Sequence, residues 1–218
     1  MSQPKIISVH SGKGGIGKTT TATSLAWTLG DPARPERTVL IDANARQRSA
    51  TVIYERLQVD APYAVATEPD PRKLAYVRDL DADLVIIDTP PSDLEAAAAN
   101  EVADLILVPY VARWLEDEAV ALTLESLQGR PHVVLFTMVR HNKERVNTDA
   151  RAAFLDADVR VLDAHVRYYD AHEKTQAAGY PVFLPEAQDA IENADRCAAD
   201  YLSVREELLT LPELKRTR

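Results

Sequence analysis

Five short segments place the strongest constraint on the fold of this 218-residue chain. They are almost entirely apolar and occupy residues 6–9, 39–41, 84–87, 105–108 and 133–136. Segments of this kind are typical of parallel strands that are covered on both faces. Helical patterns lie between them, so the sequence predicts βαβ units. The expected fold is α/β, with a mainly parallel, doubly wound sheet and helices on both faces.

Three segments carry apolar residues at helical spacing. The first contains Ala22, Leu25, Ala26 and Leu29 and would end at Gly30. The second is marked by Leu115, Ala119 and Leu122. The third is a long helix after Pro185, with one stripe formed by Ala187, Ile191, Ala194, Ala198, Tyr201 and Leu208.

Composition narrows the class of protein. Hydrophobic residues make up 46% of the chain and charged residues 27%, as in an ordinary globular protein. The net charge of −9 argues against a protein that coats nucleic acid by bulk charge. The single cysteine, Cys197, excludes an intrachain disulfide and a cysteine-rich zinc site. Because no signal peptide or membrane-spanning run is present, we expect one cytoplasmic domain over residues 1–218.

The most specific motif is a glycine-rich loop at residues 12–19, Gly-Lys-Gly-Gly-Ile-Gly-Lys-Thr, which fits the pattern G-x-x-x-x-G-K-[ST]. A predicted strand at residues 5–10 precedes the loop, and the first predicted helix follows it. In such a loop the backbone N–H groups turn toward phosphate oxygens. Lys18 is expected to reach the β- and γ-phosphates, and the Thr19 hydroxyl to ligate Mg²⁺. The predicted nucleotide contacts are Gly12, Lys13, Gly14, Gly15, Ile16, Gly17, Lys18, Thr19, Thr20 and Asp88.

Two aspartates follow predicted strands directly. Asp42 comes after the second apolar segment and Asp88 after the third. The carboxyl ends of parallel strands are where ligands bind in an open α/β sheet. Both residues are therefore candidates, with Thr19, for the magnesium site. Either one alone could instead be a helix N-cap or a turn residue.

The stretch 13–20, Lys-Gly-Gly-Ile-Gly-Lys-Thr-Thr, resembles the deviant Walker A motif of the ParA/MinD ATPases, a group of P-loop NTPases. An ordinary phosphate loop needs no lysine at position 13. The resemblance implies that Lys13 crosses a dimer interface to the partner's nucleotide, whereas Lys18 serves its own subunit. It also implies ATP and Mg²⁺ as ligands. The alternative interpretation of Lys13 is a solvated surface lysine.

Later segments extend the resemblance along the chain with less specific motifs. The Asp42 segment resembles switch I, and residues 88–91 resemble switch II. Residues 106–109, a helix from Trp114, residues 135–138 and residues 179–183 are similar to later family segments. In the family, the segment that residues 135–138 resemble leads to the base pocket. Thr137, Met138 and Arg140 are therefore candidates by position for contacts with adenine, although core or surface roles are open. Because few residues precede the loop, we expect no N-terminal helix-turn-helix domain, as in the short ParF-like partition proteins.

Two other branches of this superfamily fit less well. Nitrogenase iron proteins and iron–sulfur scaffold ATPases need paired cysteines, which Cys197 alone cannot supply. MinD-like proteins end in a basic amphipathic helix that binds membranes. Here Pro212 breaks the terminal helix and Glu206 and Glu207 precede it, so we expect no membrane anchor.

The resemblance implies a DNA-partition ATPase that is cytoplasmic and nucleoid-associated. ATP and Mg²⁺ would drive a sandwich homodimer that binds DNA nonspecifically, and a ParB-type centromere-binding partner would stimulate hydrolysis and release. One alternative is a ParA-like ATPase that positions a protein cargo. Another is a nucleotide-dependent binding module with little hydrolysis.

Basic residues in the C-terminal half are candidates for the nonspecific DNA contacts that the resemblance implies. They are Arg140, Lys143, Arg145, Arg151, Arg167 and Lys174. Such contacts would make binding strongly dependent on salt. Acidic residues lie among them, so a solvated charged face is the competing interpretation.

Asn44 departs from the family pattern. The resemblance implies Asp-x-Asp at residues 42–44, with the second carboxylate acting on the attacking water, and it implies catalytic roles for Lys13, Lys18, Asp42 and position 44. This chain has Asp42-Ala-Asn44, and Ala45 and Arg46 replace the usual Pro-Gln. An amide can hold a water molecule, but it cannot accept a proton at neutral pH. We therefore expect weak or strongly impaired ATP hydrolysis, unless Asp42 or another group serves instead.

Overall fold

The computed structural model describes residues 3–44, 47–113 and 116–215. In this part of the chain, six parallel strands form one sheet in the order β3-β2-β4-β1-β5-β6. The strands are β1 (Lys5–Val9), β2 (Thr38–Asp42), β3 (Ala64–Thr67), β4 (Leu84–Asp88), β5 (Leu105–Tyr110) and β6 (His132–Phe136). All five apolar segments are strands, and the predicted parallel α/β fold is confirmed.

β3 is the strand that the apolar pattern did not predict. It pairs only with β2, so it forms one edge of the sheet in the described residues. Its four residues are half-buried or exposed. A strand that is covered so little does not need the continuous apolar sequence of a central strand.

The described residues also form nine α-helices. They are α1 (Lys18–Leu29), α2 (Ser49–Glu55), α3 (Pro71–Leu74), α4 (Asp93–Val102), α5 (Glu116–Ser126), α6 (Glu144–Asp156), α7 (Ala171–Ala178), α8 (Pro185–Ala190) and α9 (Ala194–Thr210). α1 is the first predicted helix, and it ends at Gly30 as expected. Glycine is required there because a Cβ would lie 2.3 Å from the Pro62 carbonyl oxygen.

The predicted long helix after Pro185 is wrong. It is divided into α8 and α9, because Ile191 has an extended backbone and Asn193 a left-handed one with φ of 65°, and neither continues a helix. The predicted apolar stripe is still mostly buried, and Ile191, between the two helices, is half-buried. Two helical pieces therefore present the face that one helix was expected to present.

The second predicted helix corresponds to α5, but its buried face differs from the expected one. Leu122 is 57% exposed, whereas Val120 and Thr123 are buried, as is Leu127 directly after the helix. The predicted positions Trp114 and Leu115 lie outside the described residues.

Apolar side chains cover both faces of the sheet. On one face Ile7 of β1 and Ile86 of β4 pack with Leu25 of α1 and Tyr201 of α9. The opposite face packs in two groups, and their buried strand residues are Ile6, Ile41, Val85, Ile87, Ile106, Val108, Tyr110, Val134 and Phe136. Among the described helices, none combines the length and apolar character that crossing a bilayer requires.

The strand order decides where a ligand can bind. The chain leaves β1 toward β2, which lies on one side of β1 in the sheet. It leaves the neighbouring strand β5 toward β6, which lies on the opposite side of β1. The loop after β1 therefore lies where the connections diverge, at the carboxyl edge of the sheet. In open α/β sheets this position forms the binding crevice.

Candidate nucleotide-binding site

The glycine-rich loop joins the end of β1 directly to the start of α1. Two of its residues, Gly15 and Gly17, have φ values of 73° and 90°, which favour glycine strongly. Gly17 is also the N-cap of α1, and no side chain of the described residues caps the helix there. The N-terminus of a twelve-residue helix therefore opens onto the loop, with the partial positive charge that attracts phosphate.

Lys18 is only 7% exposed, and its ammonium lies within the loop. Its Nζ donates a hydrogen bond to the Lys13 carbonyl oxygen at 2.5 Å. Burial lowers the pKa of Lys18, and the Asp88 carboxylate partly opposes this effect. Lys13 itself is half-buried, and its backbone N–H faces the Ser11 hydroxyl at 3.5 Å.

Thr19 and Asp88 come together as the sequence predicts. The Thr19 hydroxyl donates to Asp88 Oδ2 at 2.7 Å. The other oxygen, Oδ1, is buried and has no hydrogen-bond partner among the described residues. The pKa of Asp88 is raised to about 7, chiefly by burial and also by the nearby Asp42 charge, while the contacts with Thr19 and Lys18 oppose the shift.

These two residues fit a magnesium ion. Mg²⁺ prefers hard oxygen ligands and usually takes only one or two groups from the protein together with substrate phosphates. A threonine hydroxyl beside a carboxylate oxygen that no described residue bonds supplies that donor set next to the phosphate loop. The remaining ligands would come from phosphate and water.

Asp42 is opposite Asp88 in the register of β2 and β4, but its oxygens are already bonded. Its Oδ1 accepts the Asn44 N–H at 3.1 Å. Its Oδ2 accepts the N–H and the hydroxyl of Thr51 at 2.9 and 3.1 Å. Asp42 thus fastens the loop after β2 to α2, and the geometry favours Asp88 as the carboxylate on the metal side.

Asn44 is nearly buried and belongs to the same loop. Its side-chain amide donates to Gln47 Oε1 at 3.3 Å, and its Oδ1 accepts the Gln47 N–H at 3.3 Å. It also lines an open groove of about 630 Å³ with Pro90, Pro91 and Glu95. The segments after β2 and β4 therefore face each other across this groove. Ala45 and Arg46 lie outside the described residues.

A cavity of about 190 Å³ lies on the other side of the loop, next to Gly17 and Thr20. Thr137 and Met138 line it, as their assignment to the base requires. Thr137 also anchors the loop, because its hydroxyl donates to the Ile16 carbonyl oxygen at 2.8 Å.

Arg140 does not line this cavity. Its guanidinium carbon lies 4.1 Å from the centroid of the Tyr168 ring, and the side chain borders a neighbouring cavity instead. The sequence patterns did not predict the segment that closes the 190 Å³ cavity, which includes Tyr168, Tyr169 and Asp170. Its two adjacent tyrosines were the only signal of that role in a chain with 6% aromatic residues.

The predicted DNA contacts divide into two groups. Arg140, Arg151 and Arg167 converge on a cavity of about 450 Å³, together with two histidines and two tyrosines. Two of these arginines have local partners, since Arg167 pairs with Asp200 at 2.6 Å and Arg151 donates to the Leu162 carbonyl oxygen at 2.6 Å.

The remaining basic candidates lie outside that cavity. Lys143 borders a different groove, with Arg113 and Arg140. Arg145 is exposed on α6, 3.7 Å from Asp149, and Lys174 is exposed on α7. The structure therefore does not gather the six basic residues into one patch.

Comparisons with known proteins place the chain among nucleotide-binding domains. A family model described as the CobQ/CobB/MinD/ParA nucleotide binding domain matches residues 7–182. The maintenance of carboxysome distribution protein A of Gloeobacter kilaueensis is 33% identical over 216 residues, which cover 95% of each chain.

Two solved structures have a similar fold. An ATP complex of a McdA variant from Cyanothece has a TM-score of 0.71 at 18% identity, and the match covers 100% of both chains. A candidate plasmid partition protein of Borrelia burgdorferi B31 bound to AMPPNP has a TM-score of 0.70 at 17% identity. That match covers 95% of this chain and 99% of the other.

Proposed function

Because the chain belongs to the CobQ/CobB/MinD/ParA family of nucleotide-binding domains, we propose that it is a Mg²⁺-dependent ATPase that positions a macromolecular cargo. The observation that carries the proposal is the Thr19–Asp88 pair beside the buried Lys18, with one Asp88 oxygen that has no hydrogen-bond partner in the described part of the chain. The relatives bound to ATP and AMPPNP support ATP as the nucleotide.

Each group at the phosphate loop has a separate task in this account. Lys18 and the loop N–H groups would hold the phosphates, and Thr19 and Asp88 would hold Mg²⁺. When bound, Mg²⁺ supplies neutralisation of the charge on the phosphate oxygens. Asp42 would keep the loop after β2 in place through Thr51 and Asn44. Thr137 and Met138 would border the base.

Asn44 makes hydrolysis slow in this account. It lies in the groove between the segments after β2 and β4, where an attacking water would have to be held. Its amide can orient water but cannot take the proton of that water at neutral pH. The protein would therefore remain for a long time in its ATP-bound state, and a partner protein would be needed to accelerate turnover.

We infer that the cargo is a protein assembly. The carboxysome distribution protein at 33% identity supports this, since it covers nearly the full chain. DNA partition with a ParB-type partner is the second candidate, because three arginines converge on one cavity. Either role would use an ATP-dependent homodimer in which Lys13 reaches the partner's nucleotide, and nonspecific binding to nucleoid DNA in the cytoplasm.

The proposal is tested by phosphate release from ATP with and without Mg²⁺, together with gel filtration and DNA-shift assays in ADP, ATP and a non-hydrolysable analogue. We expect slow, Mg²⁺-dependent release and a dimer that forms only with ATP or the analogue.

Lys13→Ala should block dimerisation and leave nucleotide binding by the monomer intact, whereas Lys73→Ala on α3 should change neither. If Lys13→Ala still formed an ATP-dependent dimer, the proposed role of Lys13 at the dimer interface would be wrong. Equal DNA binding in ADP and ATP would contradict the proposal that ATP controls DNA binding.

A further inference from the structure

His10 is a fully buried histidine directly after β1, and it contacts both ends of the loop between β4 and α4. Its Nδ1 lies 3.1 Å from the Thr89 hydroxyl oxygen, and its Nε2 lies 2.8 Å from Asp93 Oδ1. Thr89 follows Asp88 in sequence, and Asp93 is the first residue of α4. One imidazole ring therefore spans the segment that leads from the Asp88 carboxylate to the helix.

The same hydrogen-bonded chain reaches the phosphate loop through α5. The Thr123 hydroxyl donates to Asp93 Oδ1 at 3.3 Å and accepts the Gly12 N–H at 3.2 Å. Gly12 is packed so closely here that a Cβ would lie 3.1 Å from Thr123 Oγ1 and 3.2 Å from both Asp93 oxygens. The first glycine of the loop, α4 and α5 are thus held against one another.

The Asp93 carboxylate determines which nitrogen of His10 carries the proton. A carboxylate only accepts, so Nε2 of His10 carries a proton and donates it to Asp93. Burial lowers the pKa of His10 despite the contact with Asp93, which favours the neutral ring. Nδ1 of the neutral ring can then only accept, and the single Thr89 hydroxyl proton has two possible acceptors, Nδ1 at 3.1 Å and the Val9 carbonyl oxygen at 2.9 Å.

We propose that His10 is a positioning residue that holds the Asp88–Asp93 segment against the phosphate loop, so that Asp88 and Thr19 are kept at the distance a metal–nucleotide complex requires. This role rests on the proposed function. It is distinct from a role in folding, because neither polar neighbour depends on His10 alone. Asp93 is 38% exposed and keeps Thr123, and Thr89 keeps the Val9 carbonyl oxygen.

The test compares nucleotide affinity in Mg²⁺ with nucleotide affinity in EDTA, by calorimetry with the non-hydrolysable ATP analogue. His10→Leu keeps a similar volume without polar atoms. His10→Gln keeps a donor and an acceptor at the spacing of the two ring nitrogens. His132→Leu is the matched control, since that histidine contacts the Arg130 carbonyl oxygen far from the loop.

We expect His10→Leu to reduce the gain in affinity from Mg²⁺ by about tenfold, which is the usual cost of losing a group that orients a metal ligand. Affinity in EDTA should change little, His10→Gln should restore most of the gain, and His132→Leu should leave it unchanged. Asp93→Ala should add little to His10→Leu, because the two residues act through one contact.

An equal loss in Mg²⁺ and in EDTA, or the same loss in His10→Gln, would overturn the positioning role and leave the proposed function standing. If His10→Leu does not fold, His10→Gln and Asp93→Ala decide the question by the same comparison. If the unsubstituted protein gains no affinity from Mg²⁺, the proposed function fails, and the role of His10 fails with it.

Discussion

Asp42 and Asp88 are register partners at the ends of neighbouring strands, and both are buried. The Asp42 carboxylate accepts three hydrogen bonds from its own chain, through Asn44 and Thr51. The Asp88 carboxylate accepts one, from Thr19, and its second oxygen has no partner among the described residues. Two residues of the same type, at equivalent positions, thus have different surroundings.

The difference separates a carboxylate that builds the site from one that is available to a ligand. A buried carboxylate without full hydrogen bonding is unfavourable, and Asp88 has a raised pKa for that reason. Such an arrangement is typical of functional sites, because a bound cation removes the cost. The end of β2 is therefore complete as it stands, whereas the proposed function would have metal and phosphate complete the end of β4.

The largest expected effect is on the ligand side of this comparison. Lys18→Ala removes the ammonium that lies within the loop, and nucleotide affinity should fall by roughly a hundredfold or more, as for a buried charged contact. Calorimetry with the ATP analogue measures it, and Lys73→Ala is the control. If Lys18→Ala bound nucleotide as well as the unsubstituted protein, the loop would not be the phosphate site.

The second effect concerns position 44, on the Asp42 side. Asn44→Asp introduces a carboxylate into the groove between the two segments, and turnover should rise by roughly 10²-fold if that group acts as a general base. Nucleotide affinity should stay similar, because the loop and Asp88 are unchanged. Steady-state phosphate release measures the rate, and unchanged turnover would exclude position 44 from the mechanism.

The third effect compares the two carboxylates by stability. Asp42→Ala leaves three donors of Asn44 and Thr51 without their acceptor, so the free energy of unfolding should fall by about 2–4 kcal/mol. Asp88→Ala should cost less than about 1 kcal/mol in the absence of ligand, because it also removes a poorly solvated carboxyl. Urea unfolding of both variants decides this, and equal losses would contradict the contrast.

The smallest effect tests whether a buried atom without a partner always indicates a ligand. His172 Nε2 is also buried without a partner among the described residues, and burial lowers the pKa of His172 to about 4. Between pH 6.5 and pH 5 the unfolded chain binds the extra proton and the folded chain does not. Stability should therefore fall by about 1–2 kcal/mol over that range through this residue.

His172→Phe should reduce that loss, which urea unfolding at the two pH values measures. It should also leave the effect of Mg²⁺ on nucleotide affinity unchanged, because His172 is on the base side of the loop. If His172→Phe lost the effect of Mg²⁺ on nucleotide affinity, the contrast between Asp88 Oδ1 as a ligand atom and His172 Nε2 as a structural atom would be contradicted.

The sequence predicts those parts of the molecule that depend on local chemistry. Glycine spacing and a helix start define the phosphate loop, and continuous apolar segments define five strands. β3 is not predicted, because an edge strand does not need a continuous apolar sequence. The division between α8 and α9 is not predicted, because the neighbouring sequence does not indicate the left-handed backbone of Asn193.

Contacts between distant parts of the chain account for the rest of the site. The sequence places Asp42 and Asp88 alike at strand ends, and only the folded α2 brings Thr51 to Asp42. In the same way, His10 reaches Asp93 across 83 positions, and Gly12 reaches Thr123 across 111. No spacing rule covers such separations.

The central claim is that Asp88, and not Asp42, is the carboxylate that Mg²⁺ requires. The most direct measurement is the affinity for the ATP analogue in Mg²⁺ and in EDTA for the unsubstituted protein, Asp88→Asn and Asp42→Asn. We predict that Asp88→Asn loses the gain from Mg²⁺ while its affinity in EDTA is unchanged, and that Asp42→Asn retains the gain. A full Mg²⁺ gain in Asp88→Asn, or its loss in Asp42→Asn alone, would contradict the account.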